Sequence, residues 1–169
     1  ALTLLKQATQ ATPDAARPRI LLGQLQLSQG QAAQAYDTLA VLFERADAAA
    51  PLAAASLVKA AQAAKMGAAA TQLLASHYAK QPCIDVLDAL TTLESASPEG
   101  AAATHQRYLD HLGQHVSLMA ASRWLSEENQ HTNPLPAAVQ KTLEQAVRPL
   151  ARYRCAACGF EAKEHFWHC

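Results

Sequence analysis

The residues with the most chemical potential sit at the end of the chain. Cys155 and Cys158 lie in a Cys-x-x-Cys-Gly-aromatic run with Gly159 and Phe160, and Cys169 follows a ten-residue spacer. Two thiolates at this spacing can face one ion, because the tight turn between them brings their sulfurs together. Gly159 supplies the positive φ that such a turn needs. Backbone N–H groups in the turn point at sulfur and stabilise its negative charge. Zinc takes four thiolate or imidazole ligands in a tetrahedron. Cys155, Cys158 and Cys169 are therefore read as three ligands of one zinc or iron ion. A second Cys-x-x-Cys knuckle would place the fourth at the third position past Cys169. His165 and His168 are candidates for the same role, though His168 adjoins Cys169 and is awkwardly placed.

Other cysteine chemistries have weaker grounds. A thioredoxin-like redox pair expects a βαβ setting, which the sequence lacks. A structural disulfide needs an oxidising compartment, for which the sequence has no sign. Cys83, alone after Pro82, reads as a small buried apolar residue.

Elsewhere the chemical signals thin out. His111 and His115 are four apart, but Leu112, Gly113 and Gln114 stand between them, so no Glu-bearing zinc-protease pattern exists. They read, with His105, as surface or packing residues. No Gly-x-Ser-x-Gly elbow is present and glycines are too scattered for a phosphate-binding loop. Asp85 with Asp88, and Glu127 with Glu128, read as ordinary helix surface. Arg148, Arg152 and Arg154 make a small basic cluster, which fits either a solvated surface or an acidic partner. Catalysis is not expected.

The elements that must position the cysteines are helical. Of 169 residues, 39 are Ala, 23 Leu and 15 Gln, against eight Val plus Ile. That balance favours helices and excludes a sheet-dominated or doubly wound fold. Fourteen basic residues balance fourteen acidic ones, so there is no general footprint for nucleic acid or an anionic membrane surface. Half the residues are apolar, which argues against disorder. No apolar run is long enough to cross a bilayer, and no signal peptide is evident. The first residue is Ala1 and the helical pattern begins at once, so the chain reads as a piece entering mid-architecture.

Internal periodicity sets the expected fold. Ala15 to Ala46 carries a helix–turn–helix pattern: Gly23 and Gly30 are seven apart, Ala35 lies twelve beyond Gly23, and Leu39 sixteen. These offsets fit the tetratricopeptide repeat. Gly23 allows close approach of the paired helix, Gly30 ends the first helix in the left-handed conformation, and Leu39 is a core residue. Arg19 and Gln26 replace the consensus Trp and Tyr. A second unit opens at Pro51, runs through Lys65, turns at Gly67 and resumes to about Lys80. Leu73, Leu74 and His77 share one face of its second helix. The spacing from Gly30 to Gly67, 37 residues, suggests a small insertion near Asp47 to Ala50. Leu2 to Gln10 reads as the second helix of a preceding unit. Degenerate helices follow around Val86 to Leu93, His105 to Leu112 and Val116 to Asn129. A break is expected at Ser95 to Gly100 and a loop at Asn129 to Pro136. The last helix carries a Val139, Leu143, Val147, Leu150 stripe. Beyond it the segment turns aromatic, with four of the nine Phe, Trp and Tyr residues from Tyr153 to Trp167. Those rings pack either on that stripe or within the tail itself.

Tyr153-Arg154-Cys155-x-x-Cys158-Gly159-Phe160, followed by Trp167-His168-Cys169, resembles the rubredoxin-type tail of the lipopolysaccharide assembly protein B family. In that family Trp-His-Cys continues through Pro and a small residue to a fourth Cys. The resemblance covers about 17 residues, and the upstream repeats agree with the family architecture. It implies an all-α, tetratricopeptide-type helical-hairpin solenoid over residues 1–150 and a small rubredoxin-like zinc-ribbon segment over 151–169. It also implies that Cys155, Cys158 and Cys169 are metal ligands. Family members are held at the cytoplasmic face of the Gram-negative inner membrane by an N-terminal anchor, which would lie upstream of this piece. They act as adaptors that help a membrane-bound AAA+ protease degrade the committed lipid A deacetylase. Two other functions fit the residues: electron transfer by an iron-loaded rubredoxin-type centre, and a generic repeat chaperone.

Overall fold

A computed structural model describes residues 1–45, 48–95, 98–131 and 137–169. Among them the chain is mostly helical, built from packed helical hairpins. It divides into two compact units, Ala1–Ala101 and Ala102–Cys169.

The first unit contains α1 (Leu2–Ala11), α2 (Ala16–Ser28), α3 (Ala32–Glu44), α4 (Ala50–Ala63), α5 (Gly67–Lys80) and α6 (Ile84–Glu94). Each helix packs on the next, and α2 on α4, α3 on α5 and α4 on α6 also meet. That alternation is the stacking of hairpins expected from the sequence period. The large buried side chains are Ile20, Leu39, Phe43, Leu57, Leu74, Val86, Leu87 and Leu90. Fully buried alanines, including Ala35, Ala53, Ala60, Ala61 and Ala70, lie between them. Small residues at these positions let helix backbones come close, and each buried leucine contributes roughly 1.5–3 kcal/mol.

The α2–α3 hairpin is positioned by two glycines with different tasks. A Cβ on Gly23 would stand 2.5 Å from Cγ of Leu39, so the helix contact has no room for one. Gly30 has open space around it but a φ of +76°. It sits past the end of α2 in a left-handed cap, where Gly30 N–H donates to the Leu27 carbonyl and Gln31 N–H to that of Gln26. Gln26, standing where the repeat consensus has an aromatic residue, is buried. Its side-chain oxygen accepts a 2.8 Å hydrogen bond from Thr38 Oγ1, which meets the cost of burying an amide.

The second hairpin corrects the expected turn. Gly67 opens α5 instead of capping α4. The left-handed residue is Lys65, at φ 58°. Its N–H donates to the Gln62 carbonyl and that of Met66 to Ala61, the same pattern as at Gly30. From Gly30 to Lys65 the spacing is 35 residues, so most of the inferred insertion disappears. Asp47 lies outside the described residues.

The second unit carries most of α7 (Pro98–Gln114), then α8 (Leu118–His131) and α9 (Ala137–Val147). Pro98 and Gly100, expected in a break, belong to α7. Pro98 opens the helix, where its missing N–H costs nothing. Residues 132–136 of the expected loop lie outside the described residues, and Asn129 to His131 are in α8. After α9 come two short strands, β1 (Tyr153–Arg154) and β2 (Glu161–Ala162), paired antiparallel with Tyr153 opposite Ala162 and Arg154 opposite Glu161. Among the described residues, no helix is long and apolar enough to cross a membrane.

Candidate metal centre

The β1–β2 pair is a frame for a thiol cluster. Cys155 leaves β1, and its N–H donates to the Phe160 carbonyl at 2.8 Å, closing the knuckle. Gly159 N–H returns to the Cys155 carbonyl at 3.0 Å with a φ of +74°. The turn therefore has the conformation expected of it, and a side chain at position 159 would be strained by backbone geometry.

The sulfurs of Cys155, Cys158 and Cys169 lie within 4.8 Å of one another. Among the described residues they are the one group of three or more His, Cys, Asp or Glu side chains whose ligand atoms converge in this way. The Cys155 and Cys169 sulfurs are 3.6 Å apart. Two thiolates on a tetrahedral zinc, each about 2.3 Å from the ion, stand about 3.8 Å from each other, whereas a disulfide needs about 2.05 Å. The spacing suits shared coordination, and all four cysteines are free thiols.

The electrostatics favour one thiolate. Cys155 is lowered from 9.0 to about 7, first by the backbone N–H of Cys158, next by that of Ala157, and then by the neighbouring Cys158 and Cys169 thiols. Cys169 moves upward, because it donates to Cys155 and Cys158 and meets the Cys155 charge. Cys155, the sulfur that the turn amides face, therefore loses its proton before Cys169 does. A cation would release the remaining protons by direct charge attraction.

The aromatic residues are placed within the tail. Phe160 meets Phe166 edge-on at 5.1 Å, and His165 lies edge-on to Tyr153 at 5.4 Å and to Trp167 at 4.4 Å. The imidazole of His165 is therefore part of the packing, and neither His165 nor His168 joins the thiol cluster. Leu150 lies past the end of α9 and is exposed, as is Val139.

One partner of the basic cluster escaped the sequence reading. Glu161 accepts from Arg152 at 3.1 Å and stands 3.8 Å from Arg154. A usable signal was present: once the knuckle joins residues 155 and 160, residue 161 must face 154 across the strands. The other expectations resolve locally. His111 and His115 stack at 5.0 Å, and His105 packs on Trp124. Cys83 precedes α6 half-buried, with its thiol raised chiefly by burial. The side chains of Glu127 and Glu128 lie outside the described residues. No family model and no curated protein matches the chain.

Proposed function

We propose that this chain is a non-enzymatic protein-binding adaptor that regulates lipopolysaccharide synthesis. In this reading it brings the committed lipid A deacetylase to a membrane-bound AAA+ protease at the cytoplasmic face of the inner membrane. The observation that carries the reading is the converging Cys155, Cys158 and Cys169 trio, set in the aromatic and glycine pattern that resembles the lipopolysaccharide assembly protein B tail. Helical hairpins upstream of the trio supply the kind of surface that repeat proteins use to hold partners.

Cys155, Cys158 and Cys169 would hold one zinc or iron ion in this reading, with a fourth ligand from beyond Cys169. The ion's role would be structural: it clamps a segment too small to bury a core and supplies much of its folding free energy. The residues act by binding and by presenting surfaces, with no bond made or broken.

Elemental analysis of a chain extended past Cys169, paired with a pull-down from an envelope extract, tests the proposal. One zinc per chain together with recovery of the protease and the deacetylase is expected. A visible absorption band that bleaches reversibly on reduction would move the reading to iron and electron transfer. Recovery of neither protein would overturn the adaptor role.

A further inference from the structure

The groove between α3 and α5, on the hairpin unit and unconnected with the thiols, has a chemistry of its own. It is an open cleft of about 530 Å³. Tyr36, Asp37, Ala40 and Glu44 form one wall, and Gln72 and Leu73 belong to the other.

Three features of the α3 wall point the same way. Asp37 and Glu44 are exposed, and neither has an ion-pair partner among the described residues. The adjacent guanidinium, that of Arg45, is already engaged with Asp14 and the Pro13 carbonyl. Glu44 is also the last residue of α3, at the negative end of the helix dipole, where a carboxylate is unfavourable. Tyr36 is 7% exposed and lines the groove, and among the described residues its hydroxyl has no hydrogen-bond partner. The hydroxyl is not sealed off by the protein, so it opens into the groove, within reach of a ligand. Tyr36 is shifted upward by burial first, then by Asp37 and Glu44, which places both carboxylates within electrostatic reach of it.

We infer that this groove is a docking site for a basic segment of a partner protein. Asp37 and Glu44 are seven residues apart, about 10.5 Å along the helix axis. One metal ion cannot bridge that distance. Two arginine or lysine side chains three residues apart on an extended polyproline-type segment are about 9–10 Å apart, and they match it. Their aliphatic stems lie along Ala40 and Leu73, and their charged heads reach the carboxylates. The Tyr36 hydroxyl accepts from one head. The inference rests on reading the chain as a protein-binding adaptor, and it adds the chemistry of one partner segment.

The test is fluorescence anisotropy with a labelled synthetic peptide carrying two arginines three residues apart, beside a control with glutamine in their place. The wild-type chain should bind the arginine peptide and not the control, less tightly as salt rises. The double variant Asp37→Asn/Glu44→Gln should lose about tenfold in affinity, and Tyr36→Phe about threefold. Both acids are on the surface, so unchanged circular dichroism is expected and separates lost binding from lost folding. Equal binding by wild type and double variant, or no binding by the wild type, would overturn the inference. Sedimentation that shows self-association dissolved by the double variant would also overturn it, naming a second copy of the chain as the occupant. A failure here leaves capture of the protease and deacetylase unaffected. Recovery of neither protein would leave the peptide result standing.

Discussion

Gly23, Gly30 and Lys65 separate two reasons for wanting no side chain. At Gly23 the obstacle is Leu39, buried and 2.5 Å from a built Cβ, so Gly23→Ala should cost about 1–3 kcal/mol through overpacking. At Gly30 space is open and the penalty is conformational. Gly30→Ala should cost about 1 kcal/mol. Lys65 already bears that penalty, and Lys65→Gly should return up to about 1 kcal/mol. Urea unfolding of the three variants checks this, since a contact-based explanation would leave Lys65→Gly neutral. Thiol chemistry offers a second residue-level measurement. In chelator-treated protein, alkylation of Cys155 should reach half its maximal rate near pH 7, because a lowered thiol pKa means thiolate above that pH. Cys169 should lag, reacting fully only above the ordinary thiol range. Identical pH profiles would show that the turn amides do not favour the Cys155 thiolate.

At the scale of elements, the β1–β2 hairpin is small and its rings pack on one another, so little beyond the thiols can hold it. Replacing Cys155 and Cys158 by Ser, or removing metal with a chelator, should speed proteolysis between residues 151 and 169 without changing helix content. Unchanged protection would show that the aromatic pairs suffice. This scale also shows what the sequence made readable. The knuckle was legible because two cysteines and a glycine at fixed spacing admit few backbones. The α2–α3 hairpin was legible because Gly23, Ala35 and Leu39 each have one packing role. The α4–α5 turn was misplaced by two residues because the glycine signal pointed to Gly67, while helix packing put Lys65 into the left-handed cap. Pro98 and Gly100 read as breakers, yet a proline at the start of a helix is compatible with it. The α3–α5 groove was not legible at all. Asp37 and Glu44 look like any solvated pair until the fold shows the neighbouring Arg45 engaged with Asp14 and Tyr36 opening into the same groove.

Across the whole molecule, the hairpin unit has a core of leucine and alanine with few large rings. Stability there depends on close fit, so Leu57→Ala, at a fully buried site between hairpins, should cost about 2–5 kcal/mol. Calorimetry would register this as a lower midpoint for the unit spanning residues 1–101. One side chain ties neighbouring hairpins directly. His77 of α5 is 1% exposed, lies edge-on to Phe43 at 5.2 Å, and donates from Nδ1 to the Phe43 carbonyl at 3.2 Å. Its Nε2 has no partner among the described residues. The donated proton reaches a carbonyl in the last turn of α3, which also accepts from the Arg45 N–H. In a linear lattice of folded segments, such a bond is a nearest-neighbour coupling, and it makes the opening of one segment expensive for the next. Deuterium uptake at the α3 and α5 amides should therefore rise together and with one rate. His77→Phe should split that single rate into two.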